Sequence, residues 1–246
     1  EGSSNGIPEE KAKEKKEKFP HPSDAPRRNY RITDDALGTG GAKTKYARNV
    51  EAIRTLRCIE GEGRLATSEE QEVLAQYVGW GALPQAFNER NEAWSKEYAE
   101  LKGLLSDEEY ASARASTLNA HYTSPTVVKA IYGTLERMGL ASGNILEPAC
   151  GTGNFFGLVP ESMAGAKLYG VELDGITGRI ARQLYQEADI TVDGYERTHF
   201  PDNFFDAAVG NVPFGAYRVA DPKYDRHSFA IHDYFFAKTL DQVRPG

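Results

Sequence analysis

From about residue 121 onward, short apolar runs alternate with amphipathic helical stretches, and few architectures accept that order. Asn144 to Leu146, Leu168 to Glu172, Ile190 to Val192 and Asp206 to Gly210 read as four strands. Helices over Val127 to Met138 and about Gly175 to Tyr185 intervene. Strand and helix signals in alternation predict an α/β fold with a parallel sheet over residues 119 to 246. No internal repeat is present.

The first half of the chain has a different texture. Residues 1 to about 29 combine Gly, Ser and Pro with a Glu/Lys run from Glu9 to Lys18 and almost no apolar side chains, which predicts a tail or linker. From Tyr30 to about Leu118 the pattern is helical, with Val50, Ile53, Leu56 and Ile59 on one stripe and Gly61 and Gly63 ending the helix. Thr67-Ser-Glu-Glu70 reads as a capping box that opens a second helix with Val73, Leu74, Tyr77 and Val78 on its apolar face, and Ser106-Asp-Glu-Glu109 repeats that signal. Gly79-Trp80-Gly81 reads as a tight turn anchored by its aromatic ring, followed by a helical stretch from about Asn91 to Leu104. The expectation is an all-helical layer preceding the α/β core.

Two loops of that core carry chemistry. Glu147-Pro-Ala-Cys-Gly-Thr-Gly-Asn-Phe155 follows the first strand, where glycines let the backbone turn sharply and approach a ligand. Its spacing fails the dinucleotide pattern GxGxxG, because Phe156 stands three residues after Gly153, which disfavours a nicotinamide cofactor. Glu172 ends the second strand about twenty residues on, where a carboxylate accepts hydrogen bonds from both ribose hydroxyls, while Asp174 suits the N-cap of the next helix. After the fourth strand comes Gly210-Asn-Val-Pro-Phe-Gly215. An exocyclic amine is a poor nucleophile until both its N–H bonds are held. Asn211 offers a side-chain carbonyl for one, and the Val212 carbonyl, held extended by Pro213, offers the second. Phe214 adds a face on which an extruded base can stack.

Other chemistries find little support. Gly38-Thr-Gly-Gly-Ala-Lys-Thr44 has Ala42 where a Walker loop needs Gly, and no apolar strand leads into it. The five histidines show no metal-ligand spacing, and no Ser/His/Asp constellation stands out. Cys58 and Cys150 sit in unrelated contexts, which fits a reducing cytoplasmic location, and no apolar run approaches the length that spans a bilayer. A formal net charge of -7 argues against gripping nucleic acid by a general electrostatic surface, so any such contact must be local.

These residues resemble the S-adenosylmethionine-dependent amino-methyltransferases that modify adenine N6 in DNA, in the gamma motif order: a Tyr-Thr-Pro-like segment, the cofactor loop, then Asn-Pro-Pro-aromatic. Tyr122-Thr-Ser-Pro125, EPACGTGNF and GNVPFG keep that order, with Val212 in place of the first proline. The resemblance implies a Rossmann-like class I methyltransferase core with S-adenosylmethionine as cofactor and DNA as partner. It places the cofactor against Tyr122 and Thr123, then Glu147, Pro148, Ala149, Gly151, Gly153 and Phe155. Glu172, Leu173 and Asn211 follow, with Glu196 preferred over Asp193 for the cofactor's adenine. Asn211, Val212, Pro213 and Phe214 form the catalytic clamp on the amine. From about Asn29 onward the chain also resembles the methylase portion of the large methylase/helicase-like proteins of conjugative plasmids and transposons.

Methyltransferase sheets of this class have seven strands, and four are legible here, so the expectation is an incomplete core lacking the region that reads the DNA sequence. Its fourth strand would then be an exposed edge open to self-association. The Asn-Pro-Pro-aromatic loop also serves glutamine side chains and RNA bases, and a scaffold that has lost turnover is a third alternative.

Overall fold

The computed structural model describes residues 26–117 and 123–245, so the segment expected to be a tail lies outside the described residues as far as residue 25. The first half of the described chain is helical, although Tyr77 and Val78, expected on the second helix, lie beyond its end. Helix α1 (Ala42–Gly61) buries Val50, Ile53, Leu56 and Ile59 along one stripe. Helix α2 (Ser68–Ala75) begins with a complete capping box, Thr67 accepting from the Glu70 N–H while Glu70 accepts from that of Thr67. A 3-10 turn, Glu92–Trp94, leads into α3 (Ser95–Leu104), and Ser106 and Glu109 form the second capping box, on α4 (Asp107–Ser116).

The Gly79-Trp80 turn is pinned from inside. The buried Asn49 side chain donates to the Gly79 carbonyl at 2.6 Å and accepts from the Val78 N–H at 2.9 Å. Trp80 fills the centre of the layer, packed edge-on by Tyr46, Tyr77 and Phe87.

Helix α5 (Pro125–Arg137), started by a proline at N1, leads to strand β1 (Asn144–Glu147) and then the short α6 (Asn154–Gly157). Strand β2 (Lys167–Glu172), helix α7 (Gly175–Leu184), β3 (Asp189–Val192), β4 (Ala207–Ala208) and α8 (Ile231–Gln242) complete the order. The four strands are parallel in the order β3-β2-β1-β4, with Ile145 beside Leu168 and Ala207, and Gly170 beside Ile190. This is an open, Rossmann-like α/β sheet. Strand β4 is shorter than its sequence signal, although the Val209 N–H still reaches the Leu146 carbonyl at 2.8 Å before Gly210 turns away at φ 144°.

Helical layer and sheet do not have separate cores. Leu56 and Leu74 belong to the same buried cluster as Ile180 and Ile145. Gln71 on α2 donates to the carbonyls of Gln183 and Leu184 at the end of α7, and the Gln186 side chain donates to Ala66. Arg179 of α7 reaches across to Glu60 at 3.0 Å and Glu109 at 2.7 Å. The expected tail boundary near residue 29 shifts accordingly: Arg28 and Asn29 are already docked, the Gln186 N–H donating to the Arg28 carbonyl and the Tyr30 N–H to that of Leu184.

The edge of β4 also differs from expectation. The chain leaving α8 lies beside its start, with Phe205 bridging Val243 in parallel and the Arg244 N–H donating to the Phe205 carbonyl at 2.9 Å. Arg244 further pairs with Asp206 at 3.2 Å. That end of the edge therefore has its hydrogen bonds met within the chain, which removes part of the template for self-association.

Gly153 is the N-cap of α6 at φ 85°, and a Cβ placed there would lie 2.4 Å from the Tyr185 ring. Gly153→Ala is expected to lower the unfolding free energy by about 2–4 kcal/mol, read as a reduced urea midpoint with an unchanged slope.

Candidate functional site

Parallel strands deliver all their carboxyl ends to one side of the sheet, and the loops leaving them diverge to opposite faces. Here that divergence opens a cavity of about 560 Å³. Glu147 closes β1, Glu172 closes β2, and the Gly210–Gly215 loop leaves β4, all toward this space.

Glu172 holds the centre. One carboxylate oxygen accepts from the Gly151 N–H and the other from the Asp174 N–H, both at 2.8 Å. Gly151 turns at φ 56° to present that N–H, a conformation costly for any residue with a Cβ. Burial outweighs these donors and pushes the Glu172 carboxyl up to about 7. Glu147 is more enclosed: one carboxylate oxygen is buried without a hydrogen-bond partner, and burial with Glu172 nearby holds its carboxyl well above the usual carboxylate range. Two acids in one enclosed space favour a ligand that brings positive charge or N–H donors.

Asp174 is the cap that its position suggests. It accepts from the Thr177 N–H at 2.8 Å, and its other oxygen takes a hydrogen bond from Ser112 of α4 at 2.6 Å. That contact brings the helical layer into the site, where Ser112, Ala115 and Ser116 form a wall.

Thr123, Pro148, Ala149, Phe155 and Leu173 line the cavity, as do Asn211, Val212, Pro213 and Phe214. Leu173 and Phe214 are 71% and 67% exposed, large apolar surfaces that present themselves at the rim. Both acids after β3 are there too: Asp193 is occupied by the Gly194 N–H and by Arg197, whereas the Glu196 carboxylate folds back over Gly194. Gly153 is the exception among the expected cofactor contacts. It does not line the cavity, because its missing side chain makes room for Tyr185 rather than for a ligand. Tyr122 lies outside the described residues.

Several wall residues were not expected from sequence. Tyr217 and Val219 come from the loop after the Asn211 segment, and Ile231 and Phe235 from α8. Small residues at Ser112, Ala115 and Ser116 mark one face of α4 by their helical spacing, yet nothing local says what that face meets.

No family model matches the chain. Over 203 residues, 80% of its length, it is 26% identical to Defense against restriction protein B of Escherichia phage P1. Over 94 residues, 38% of its length, it is 32% identical to modification methylase CviBIII of Paramecium bursaria Chlorella virus NC1A. It spans only 7% of the first and 25% of the second. Among solved structures, the O-methyltransferase from Bacillus cereus in complex with SAH is similar over 68% of this chain and 70% of its own, with 19% identity and a TM-score of 0.35.

The raised Glu172 carboxyl gives the fold a signed pH dependence. An acid whose folded value lies near 7 against an ordinary 4.5 favours folding fully below 4.5, and that contribution is lost as pH rises to about 7. Urea midpoints at pH 5 and pH 8 are expected to show a loss on the order of 1–3 kcal/mol from this group, and Glu172→Gln to flatten the difference by that amount.

Proposed function

We propose that this chain is the cofactor-binding and catalytic core of an S-adenosylmethionine-dependent methyltransferase that modifies the exocyclic N6 amine of adenine in DNA. The observation that carries this proposal is the convergence of Glu147, Glu172 and the Asn211–Phe214 segment on one cavity at the carboxyl ends of parallel strands. Identity to a viral modification methylase over 94 residues points the same way.

The residues fit the cofactor. Glu147 carries a buried carboxylate oxygen with no partner, suited to an ammonium donor, and the pair of acids suits a ligand with net positive charge. Glu172 keeps lone pairs free for ribose hydroxyls beyond the two backbone N–H groups that it already holds. Leu173 supplies an apolar surface beside it, and Glu196 or Asp193 can accept from an adenine amine. A volume of about 560 Å³ lies in the range typical of cofactor sites.

When bound, S-adenosylmethionine supplies an electrophilic methyl group on its sulfonium. The chain's own part is to prepare the nucleophile. Asn211 and the Val212 carbonyl accept the two N–H bonds of the amine, which draws its lone pair out of conjugation with the ring. Pro213 holds the Val212 carbonyl extended, so valine in place of a first proline leaves the acceptor intact. Phe214 stacks on the extruded base from its exposed position.

Tritiated methyl transfer offered DNA, RNA and protein in parallel tests the substrate, and label on DNA adenine alone is the expected result. Label on RNA or glutamine instead would reassign the substrate, and heat of cofactor binding without transfer would favour a scaffold. Asn211→Ala is expected to lower kcat by about 10²–10³-fold while cofactor affinity changes far less. Ala115→Trp, which fills the cavity from the helical layer, is expected to abolish cofactor binding by calorimetry with little change in melting temperature.

A further inference from the structure

Helix α4 has a second cavity on another of its faces. Ser112, Ala115 and Ser116 wall the site described above, whereas Tyr110 and Arg114 of the same helix, with Thr117 at its C-cap, line a separate cleft of about 550 Å³. Phe87, Arg90, Tyr98 and Lys102 form its other sides.

This cleft gathers three cations that pair with no carboxylate among the described residues. Four cations elsewhere in the helical layer are tied to carboxylates: Lys43 to Glu97 at 2.6 Å, Arg54 to Glu100 at 2.8 Å, Arg57 to Glu109 at 2.7 Å and Arg64 to Glu70 at 2.6 Å. Arg90, Lys102 and Arg114 are exposed and have no ion-pair partner among the described residues. Among the described residues, Glu89 is the sole acid that lines the cleft. A chain with a formal charge of -7 thus carries a local cationic excess. Unpaired guanidinium and ammonium groups facing one cleft are what a phosphodiester requires.

The rings narrow the ligand further. Lys102 sits over the Tyr110 ring at 4.1 Å, and Tyr110 packs against Phe87 at 5.3 Å and Tyr98 at 6.5 Å. Tyr98 is half-buried, with part of its ring open to the cleft. A site for free phosphate has no use for an aromatic lining, whereas a nucleotide stacks on one.

Resting on the methyltransferase reading above, we propose that this cleft binds the backbone of the nucleic-acid strand flanking the methylated base, with Arg90, Lys102 and Arg114 on phosphates and Tyr98 against a base or sugar. The two cavities are separated by one helix, about 10–12 Å across, which a few nucleotides of strand span at about 3.4 Å each. The cleft supplies the local phosphate contact that the overall negative charge cannot.

The test uses the whole chain and labelled single-stranded and duplex oligonucleotides, with binding read by fluorescence anisotropy over a range of salt concentrations. The triple variant Arg90→Gln, Lys102→Gln and Arg114→Gln is compared with a control of equal charge loss outside the cleft, Lys45→Gln, Arg137→Gln and Lys167→Gln. The cleft variant is expected to bind at least about tenfold more weakly, with its log-log salt slope shallower by about 2, and the control to differ from wild type by less than about twofold. Calorimetry with S-adenosylmethionine should give the same affinity for all three proteins. Oligonucleotide binding and salt slope unchanged in the cleft variant, or reduced equally in the control, would overturn the cleft assignment and leave the methyltransferase reading standing. A wild-type chain that binds cofactor but no oligonucleotide overturns both the cleft and the nucleic-acid substrate.

Discussion

The Glu172 carboxylate is the interaction on which the site depends. By accepting from the Gly151 and Asp174 N–H groups it ties the glycine loop after β1 to the start of α7, across the boundary between two adjacent strands. Asp174 passes the constraint on, capping α7 with one oxygen and taking the Ser112 hydroxyl with the other. Loop, helix and helical layer are therefore registered to one another through two acids two residues apart. The arrangement is held at the expense of a carboxyl driven up to about 7, the kind of cost that a folded chain bears at a functional site.

The helical layer is part of the same construction rather than an appendage to it. It shares a buried cluster with the sheet, and Gln71, Gln186 and Arg179 satisfy polar groups across the junction. Separating the two would expose Leu56, Leu74 and Ile180 together and leave the carbonyls at the end of α7 without their side-chain donor. Because the layer shares its core with the sheet, its helix α4 can serve as a wall for the cavity at the strand ends.

A second polar centre holds the opposite side of the cavity. Buried Lys238 on α8 donates to the carbonyls of Tyr195 and Thr198 and to Asp221, and Tyr234 donates to the same carboxylate. The segment that carries Glu196 and the loop that follows Asn211 are thereby fastened to one side chain. An irregular loop of this length keeps a defined shape only when such groups bind its backbone from below.

Much of this was legible in the chain itself. Capping boxes at Thr67 and Ser106, the glycine stops and the strand runs depend on interactions within a few residues, so local sequence determined helices α1 to α5 and α7, the four strand runs and the chemistry offered by Glu147, Glu172 and Asn211 to Phe214. Only the tertiary structure decided which groups meet. Gly153 carries the same sequence signal as Gly151, yet one makes room for the Tyr185 ring and the other presents its N–H to Glu172. Helix α8, the docking of Arg28 and Asn29, and the strand-like pairing of Val243 are set by partners more than 30 residues away, and the Ser112 face of α4 acquires its meaning from Asp174, 62 residues on. Burial and long-range contact give these residues their roles, and neither is a property of a segment alone.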